Sequence, residues 1–563
     1  MKDDLKRLID AALPDILHSL QVQSFKPEDV QYDLETPKSK AHGDLAINLA
    51  LKLGRTLKKN PFEIAERCHR VLEEKVRNDR SWRMQIKGIT VAKPGFINFS
   101  FTEVFLANTL LSILKLSDQF GKSDFGCGKK VLIEFVSANP TGPLTIAHGR
   151  QAAIGDTLAR ILDTVGYRVH KEFYLNDGGR QIRLLGESLW VRYQELFGRK
   201  VDLPEDGYQG SYLVDIARSL KQEQGDSLLK LETSKVLELT TAYAVEKMMV
   251  TIKKDLQDMD VAFDEYFSEG ILYERKLIEQ ALEHLRSKNF LYETDGALWF
   301  RSTQFGDDKD RVLRKQSGEY TYLAPDIAYH ASKFKRGFEK LINLLGPDHH
   351  GYVTRLKAAC QALGHSAEAI HILIVQLTTL YRQGEPVRMS TRLGEFVTLR
   401  ELMDEVGVDA TRFFFLMRKI ESHLDFDLEL AKKKSDDNPV YYLQYAHARI
   451  SSILAFAGID VERTGTFADV DLSLVREEEA LDLIKKMLEY PQALKEAAQI
   501  LEPYRLVDYL RELAALFHKF YVFHRVVTED AALTKARLLL IRCAQIVLRN
   551  GLHVLGVSAP SKM

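Results

Sequence analysis

The segment from Lys130 to Tyr167 constrains the fold of this chain more than any other. KVLIEFV (130–136) is a short, continuous apolar run of the kind that fills a buried parallel strand. The loop SANPTGPLT follows, with two prolines and a glycine. HGRQAAIGDTLARILDTVGY (148–167) then places Ile154, Leu158, Ile161 and Val165 on one helical stripe that ends near Gly166. Strand, tight loop and helix form the opening unit of a nucleotide-binding α/β sheet. RVHKEFYLND (168–177) reads as the second strand with its loop, EKLINLLGPDHH (339–350) as another, and IHILIVQLTTL (370–380) as a further one.

The flanking regions read differently. LAINLALKLGRTL (45–57) has apolar residues at helical spacing, Asn60-Pro61 opens a second helix, and GITVAKPGFINFSF (88–101) alternates in the manner of strands, so about 1–110 is α/β. FGKSDFGCGKK (120–130) is a Gly-rich linker. About 180–310 is mostly helical and charged, with a strand-like GALWFRS (296–302), and reads as an insertion between two halves of the sheet. TLRELMDEVGVDATRFFFLMRK (398–419) is helical. From Asn438-Pro439 onward the pattern is nearly all helix, including 510–526 and 532–556, which predicts a separate helical domain.

A chain of 563 residues accommodates three or four such domains. With 45% hydrophobic and 28% charged residues it has the makings of a large core rather than of a disordered polymer. Cys68, Cys127, Cys360 and Cys543 form no C-x-x-C pair, so neither a disulfide framework nor a thiolate zinc site is expected. MKDDLKRLID lacks the apolar core of a secretory leader, and no run approaches 18 apolar residues, so the expectation is a reduced, cytoplasmic protein without a membrane partner. A net charge of −1 gives no global attraction to nucleic acid but leaves room for a local basic face.

Two segments suggest phosphate chemistry. In SANPTGPLTIAHG (137–149) a helix N-terminus offers unpaired N–H groups and partial positive charge, with Thr145 and His148 as side-chain donors and small Ala147 allowing an adenine ring to approach. The same loop reads equally well as a turn with an N-capping threonine. In PVRMSTRLGEFVTL (386–399), Arg388, Ser390, Thr391 and Arg392 precede Gly394, either as a clamp on a transferring phosphoryl group or as a solvated basic turn. Asp348, His349 and His350 lack a third ligand at metal-site spacing, so no metal centre is expected. Asn176 and Asp177 are either an Asx turn or part of a site rim. Tyr441 and Tyr445 share a helical face as core packing or as a stacking platform, and Lys432-Lys433-Lys434 is a solvated face or a phosphate contact.

Taken in order, EFVSANPTGPLTIAHGR (134–150), FYLNDGGRQI (173–182), YTYLAPDIAYH (320–330), LGPDHHGYVTRLKAA (345–359), MSTRLGEFVTL (389–399) and SHLDFDLELAKKKSDDNPVYYLQYAHARI (422–450) resemble the arginyl-tRNA synthetases, a class I aminoacyl-tRNA synthetase family, across essentially the whole chain. The resemblance implies a small α/β N-terminal domain touching the tRNA body (1–115). It also implies a Rossmann-type parallel-sheet catalytic domain (125–400) with a helical insertion near 185–310, connecting helices (401–437) and an all-helical anticodon-binding domain (438–563). The family's His-x-Gly-His signature stands here as Thr145-Ile146-Ala147-His148, and its Lys-Met-Ser-Lys signature as Arg388-Met389-Ser390-Thr391, followed by Arg392.

By that resemblance Thr145, His148, Arg388, Ser390 and Arg392 are catalytic. ATP is held by Asn139, Pro140, Thr141, Gly142, Pro143, Leu144, Ile146, Ala147, Gly149, Asp348, His349, His350, Met389 and Thr391. Arginine is held by Glu134, Asn139, Tyr322 and Asp326, and tRNA by Tyr441, Gln444, Tyr445 and Arg449. The implied substrates are L-arginine, ATP with Mg2+ and tRNA(Arg), the chain acting as a monomer with no tightly bound cofactor and no editing domain.

Overall fold

A computed structural model describes residues 2–22, 26–37, 39–387, 397–459 and 465–563. Its centre is a five-stranded parallel sheet built from β1 (Lys130–Glu134), β2 (Arg168–Leu175), β3 (Glu265–Ser268), β4 (Lys340–Leu345) and β5 (Ile370–Ile374). The spatial order is β5-β4-β1-β2-β3. Strand order therefore reverses between β1 and β4, and at such a switch point the carboxyl ends of the strands leave a crevice. Helix α1 (Ile146–Thr164) returns from β1 over the sheet, and helix α2 (Leu323–Lys335) packs near the carboxyl ends of β1 and β2. β1 is buried on both faces at Val131, Leu132 and Ile133, which is why its sequence is continuously apolar rather than alternating.

The structure departs from the sequence expectations at four places. The region near 185–310 is not purely an insertion, because β3 within it forms the edge of the main sheet. A three-stranded antiparallel sheet, Leu291–Thr294, Ala297–Phe300 and Arg311–Arg314, does stand apart from that sheet. The apolar run 370–380 breaks after Ile374, and Thr378–Arg382 pairs instead with Leu424–Asp427. Buried Arg150 fills that break. Its guanidinium donates to the carbonyls of Gln376 and Leu377 at the break and to those of Lys419 and Ser422. The helix expected over 45–57 begins only at Leu49, because Leu45–Ile47 pairs with Ile97–Phe99 in a four-stranded antiparallel sheet. Finally, Ala531–Leu555 is long and apolar enough to cross a membrane by length and composition, but 83% of its apolar window is buried inside the protein. It serves as the central helix of the C-terminal bundle, packing on Pro439–Phe456 and Tyr504–Phe523.

Candidate active site

A cavity of about 550 Å³ opens at the switch point. Its floor is the carboxyl end of β1 and β4, one wall is the start of α1, and the opposite wall is α2. The chain leaves β1 through a strained turn: Val136 and Ser137 have φ of 67° and 40°, a region that a β-branched residue rarely enters. Ser137 Oγ accepts the N–H of Tyr174 on β2 and lies 3.4 Å from Glu134 Oε1. The turn thereby directs residues 138–144 out of the sheet and up to the N-terminus of α1. Gly149 packs closely where α1 meets the segment beyond the second signature, and a Cβ there would lie 2.6 Å from Leu399 Cδ1 and make that side chain shift.

At the head of α1, Nδ1 of His148 accepts the backbone N–H of Thr145 at 3.2 Å and lies 3.1 Å from the Thr145 hydroxyl. Burial pushes the imidazole down to about 4, so the ring is neutral at physiological pH. An Nδ1 that accepts an N–H leaves the single ring proton on Nε2, making that nitrogen the donor. Thr145 also forms an antiparallel bridge with Thr398, and Leu399 N–H donates to the Leu144 carbonyl at 2.8 Å. The segment that follows the second signature, at Thr398 and Leu399, is thus brought against the first. Arg388, Met389, Ser390, Thr391 and Arg392 themselves lie outside the described residues.

The acidic side of the cavity is carried by α2. Tyr322 caps the helix at 81% exposure over the cavity mouth, and Asp326 sits in its first turn with its carboxyl facing the cavity. Burial, then Glu134 and Glu269, push the Asp326 carboxyl up to about 7 against the opposing pull of Lys333 and the Tyr352 hydroxyl. Glu269, which follows β3, is a site residue that the sequence analysis did not single out. It lines the same cavity, and burial raises its carboxyl against the opposing effect of the Tyr174 and Tyr273 hydroxyls. A lone acid after a four-residue edge strand carries no local signal of this placement.

Across the sheet, Asn343, Glu134, Glu172 and Glu265 stand side by side in register on β4, β1, β2 and β3. Helix α2 and its C-cap residue Arg336 neutralise the row. Lys333 Nζ is 2.5 Å from Glu134, and Arg336 reaches Glu172 at 2.5 Å and Glu265 at 2.8 Å. His170, Glu172 and Glu265 bring potential ligand atoms within 4.8 Å of one another, but Arg336 already bridges the two carboxylates, which makes this cluster an ion-pair network.

The other expected residues divide. Asn139, Asp348 and His349 line the cavity, Asn139 Nδ2 donating to Gln181 at 2.7 Å and Asp348 lying 3.2 Å from His349. His350 is exposed and is not among the lining residues. Pro140 is buried, the Thr141 carbonyl accepts from Tyr212 Oη, and Gly142 lies against the Tyr212 ring. The structure gives both readings of Asn176-Asp177 a part. Asn176 Oδ1 takes the Gly178 N–H as an Asx turn while lining the cavity, and Asp177 accepts from Ser268 Oγ and Gly270 N.

Far from this cavity, Tyr441 and Tyr445 are half-buried and stack on each other at 6.0 Å and 10°. Arg449 lies over the rings of Tyr445 and Tyr521. Gln444 points inward, donating to Asp409 and Ser558. Lys432 is paired with Glu405 and Glu429, and Lys433 with Asp437.

Three family profiles match the chain end to end: "Arginyl tRNA synthetase N terminal domain" over residues 3–101, "tRNA synthetases class I (R), catalytic domain" over 109–422, and "DALR anticodon binding domain" over 443–563. The arginine–tRNA ligase of Anoxybacillus flavithermus is 47% identical over 568 residues, covering 100% of this chain and 99% of the relative. That of Desulfosudis oleivorans is 46% identical over 565 residues with both chains fully covered. The solved arginyl-tRNA synthetase of Thermus thermophilus superposes with a TM-score of 0.77 at 23% identity, covering 99% of this chain and all of that one, which speaks to the fold. A parallel sheet with its cavity at the switch point, a helical C-terminal bundle and end-to-end similarity at this level agree on one conclusion: the chain belongs to the arginyl-tRNA synthetase family of class I aminoacyl-tRNA synthetases.

Proposed function

We propose that the chain activates L-arginine with Mg2+-ATP to arginyl-adenylate and transfers the arginyl group to the 2′-OH of the terminal adenosine of tRNA(Arg), acting as a monomer in the cytoplasm. The observation that carries the arginine assignment is the convergence of Glu134, Glu269 and Asp326 on one cavity beside the neutral donor His148. A guanidinium is best received by carboxylates that accept its N–H groups in pairs. Asp326 and Glu269 supply that receptor, with the Tyr322 ring over the mouth, while Glu134 and Asn139 take the α-ammonium and α-carboxylate.

In the first step a carboxylate oxygen of arginine attacks the α-phosphorus of ATP and pyrophosphate leaves. In the second, the 2′-oxygen of the tRNA terminus attacks the activated carbonyl and AMP leaves. The protein contributes position and charge complementarity rather than a covalent intermediate. The neutral His148 offers its Nε2 proton to a phosphate oxygen without surrendering it, and Thr145, with its N–H on Nδ1, sets that tautomer and adds its hydroxyl to the same end of the helix. Residues 139–149 and the 348–350 turn cradle the nucleotide. Arg388, Ser390 and Arg392, flanked by Met389 and Thr391, are assigned to the departing pyrophosphate. The bridge from Thr398 to Thr145 supports that assignment by bringing the segment back to the site. Rejection of amino acids lacking a guanidinium follows from the acids they would leave unpaired, so no editing domain is invoked.

We further divide the chain into a tRNA-body domain (1–115), a catalytic domain (125–400) with its insertion, connecting helices (401–437) and an anticodon domain (438–563), the last presenting Tyr441, Tyr445 and Arg449 to splayed bases with Gln444 bracing them from behind. Aminoacylation of total tRNA with each of the twenty amino acids tests the reading. Arginine alone should be charged, and comparable charging of any other amino acid refutes it.

A further inference from the structure

Lys333 is fully buried on the inner face of α2. Its Nζ is 2.5 Å from Glu134 Oε2 and 4.0 Å from the centroid of the Tyr329 ring. Burying an ammonium costs several kcal/mol, and apolar side chains of similar volume often replace buried ion pairs without loss of stability. Stability alone therefore gives little reason for a lysine here. The surroundings of Glu134 give another. Oε2 accepts from Lys333 and from Asn343 Nδ2 at 2.9 Å. Asn343 Nδ2 is also 3.1 Å from His330 Nε2, and the other ring nitrogen of His330 donates to the Asp326 carbonyl at 2.7 Å. That carbonyl can only accept, so His330 carries its proton on Nδ1 and Nε2 accepts from Asn343. The amide of Asn343 is oriented by these contacts and cannot turn away. Oε1, by contrast, has only the Ser137 hydroxyl, at 3.4 Å, among the described residues. One oxygen of Glu134 is committed to the interior and the other is left for the cavity that Glu134 lines.

We propose that Lys333 is a positioning residue for amino-acid activation. Through Glu134 Oε2 it holds that carboxylate turned so that Oε1 receives the α-ammonium of arginine. This rests on the assignment of Glu134 to the α-ammonium made above. It also accounts for the division of labour along α2: Arg336 serves Glu172 and Glu265, and Lys333 serves the acid that meets substrate. Without Lys333, Glu134 keeps, among the described residues, the neutral Asn343 and Ser137 contacts and is free to rotate toward solvent in the cavity.

The test is pyrophosphate exchange by the full chain with saturating tRNA, varying arginine and ATP separately. Lys333→Met keeps length and apolar bulk but loses the charge. It should raise the KM for arginine about tenfold or more, as expected for loss of a charge-assisted contact, and leave that for ATP unchanged. Lys333→Arg keeps the charge and adds bulk, and should recover most of the affinity. A lysine that merely fills space predicts the reverse order, near-normal K333M and impaired K333R, and that result overturns the proposal. Glu134→Gln should itself raise the KM for arginine. The double variant E134Q/K333M should be no worse than E134Q, and a further loss shows that Lys333 does not act through Glu134. That last comparison stands even if K333M alone does not fold. If E134Q raises the KM while K333M does not, Lys333 alone is refuted. If E134Q leaves the KM unchanged, the Glu134 assignment fails first and takes this role with it.

Discussion

The Asp326 carboxyl sets the pH at which arginine can bind. An aspartate in an unfolded chain titrates at about 3.9, whereas burial, assisted by Glu134 and Glu269, pushes Asp326 up to about 7. Only the ionised form pairs with a guanidinium, so the binding-competent fraction of free enzyme is about one half at pH 7 and about one tenth at pH 6, and apparent affinity falls in proportion. The KM for arginine should therefore drop about tenfold between pH 6 and 8 while that for ATP changes little, and binding at pH 7 should release about half a proton. Calorimetric titration of arginine in buffers of different ionisation heat reads that proton directly. The effect on stability has the opposite sign to that of a salt-bridged aspartate. The native state binds the extra proton between about pH 4 and 7, so stability falls as pH rises through that window, by at most about 4 kcal/mol across its whole width. Water in the open cavity reduces that figure. Asp326→Asn should consequently melt higher than wild type at pH 8, bind arginine much more weakly, and lose the pH dependence of its KM. A flat arginine KM from pH 6 to 8 in wild type, with no proton released, refutes the reasoning.

Other site residues give further expected outcomes. Glu269→Gln should raise the KM for arginine, and by lowering the negative charge facing Asp326 should move the midpoint of its arginine pH profile downward, which parallel KM titrations of the two enzymes check. Tyr441→Ala and Tyr445→Ala should each weaken tRNA binding by about 1–3 kcal/mol without changing ATP binding, measured by filter binding; a lowered melting temperature with unaltered tRNA affinity marks them as packing residues. Arg388→Ala or Arg392→Ala should lower single-turnover adenylate formation about 10²–10³-fold with little change in ATP affinity, and Arg388→Lys should retain much of the rate.

Local pattern carried the core of the fold. β1 is legible because burial on both faces writes a continuous apolar run, and α1 because its large apolar residues Ile154, Leu158 and Ile161 recur at helical spacing, although the helix is buried nearly all round from Gly149 to Ala159. The helix starts at Asn60-Pro61 and Asn438-Pro439 are legible because an N-cap amide oxygen and a proline in the first turn act within three residues: Asn60 accepts from Phe62 N and Asn438 from Val440 N. β3 was hidden since EYFS is a four-residue edge strand with a single buried residue, and an edge that pairs on one side imposes no apolar run. Periodicity likewise placed Tyr441, Gln444 and Tyr445 on one helix but could not say that Gln444 turns inward to Asp409 and Ser558, which lie 35 and 114 residues away.

The site shows the same division. Glu134, His148 and Asp326 were reached from motifs, whose residues lie within one turn or one strand end. Glu269 and Lys333 were not, because nothing adjacent in sequence tells an acid after an edge strand or a lysine in a helix that it faces a cavity. Their roles come from the parallel register that sets Asn343 beside Glu134 and Glu172 beside Glu265, and from α2 lying over that row. Which helix neutralises which acid is a matter of contacts spanning up to 199 residues of chain. Desolvation, which moves Asp326 toward neutrality, exists only once those surfaces have closed around it. The sequence by itself therefore determined the elements, their order and the chemistry they could carry. The tertiary structure decided which charges meet, because Coulomb energy and burial depend on distances through space that no local pattern encodes.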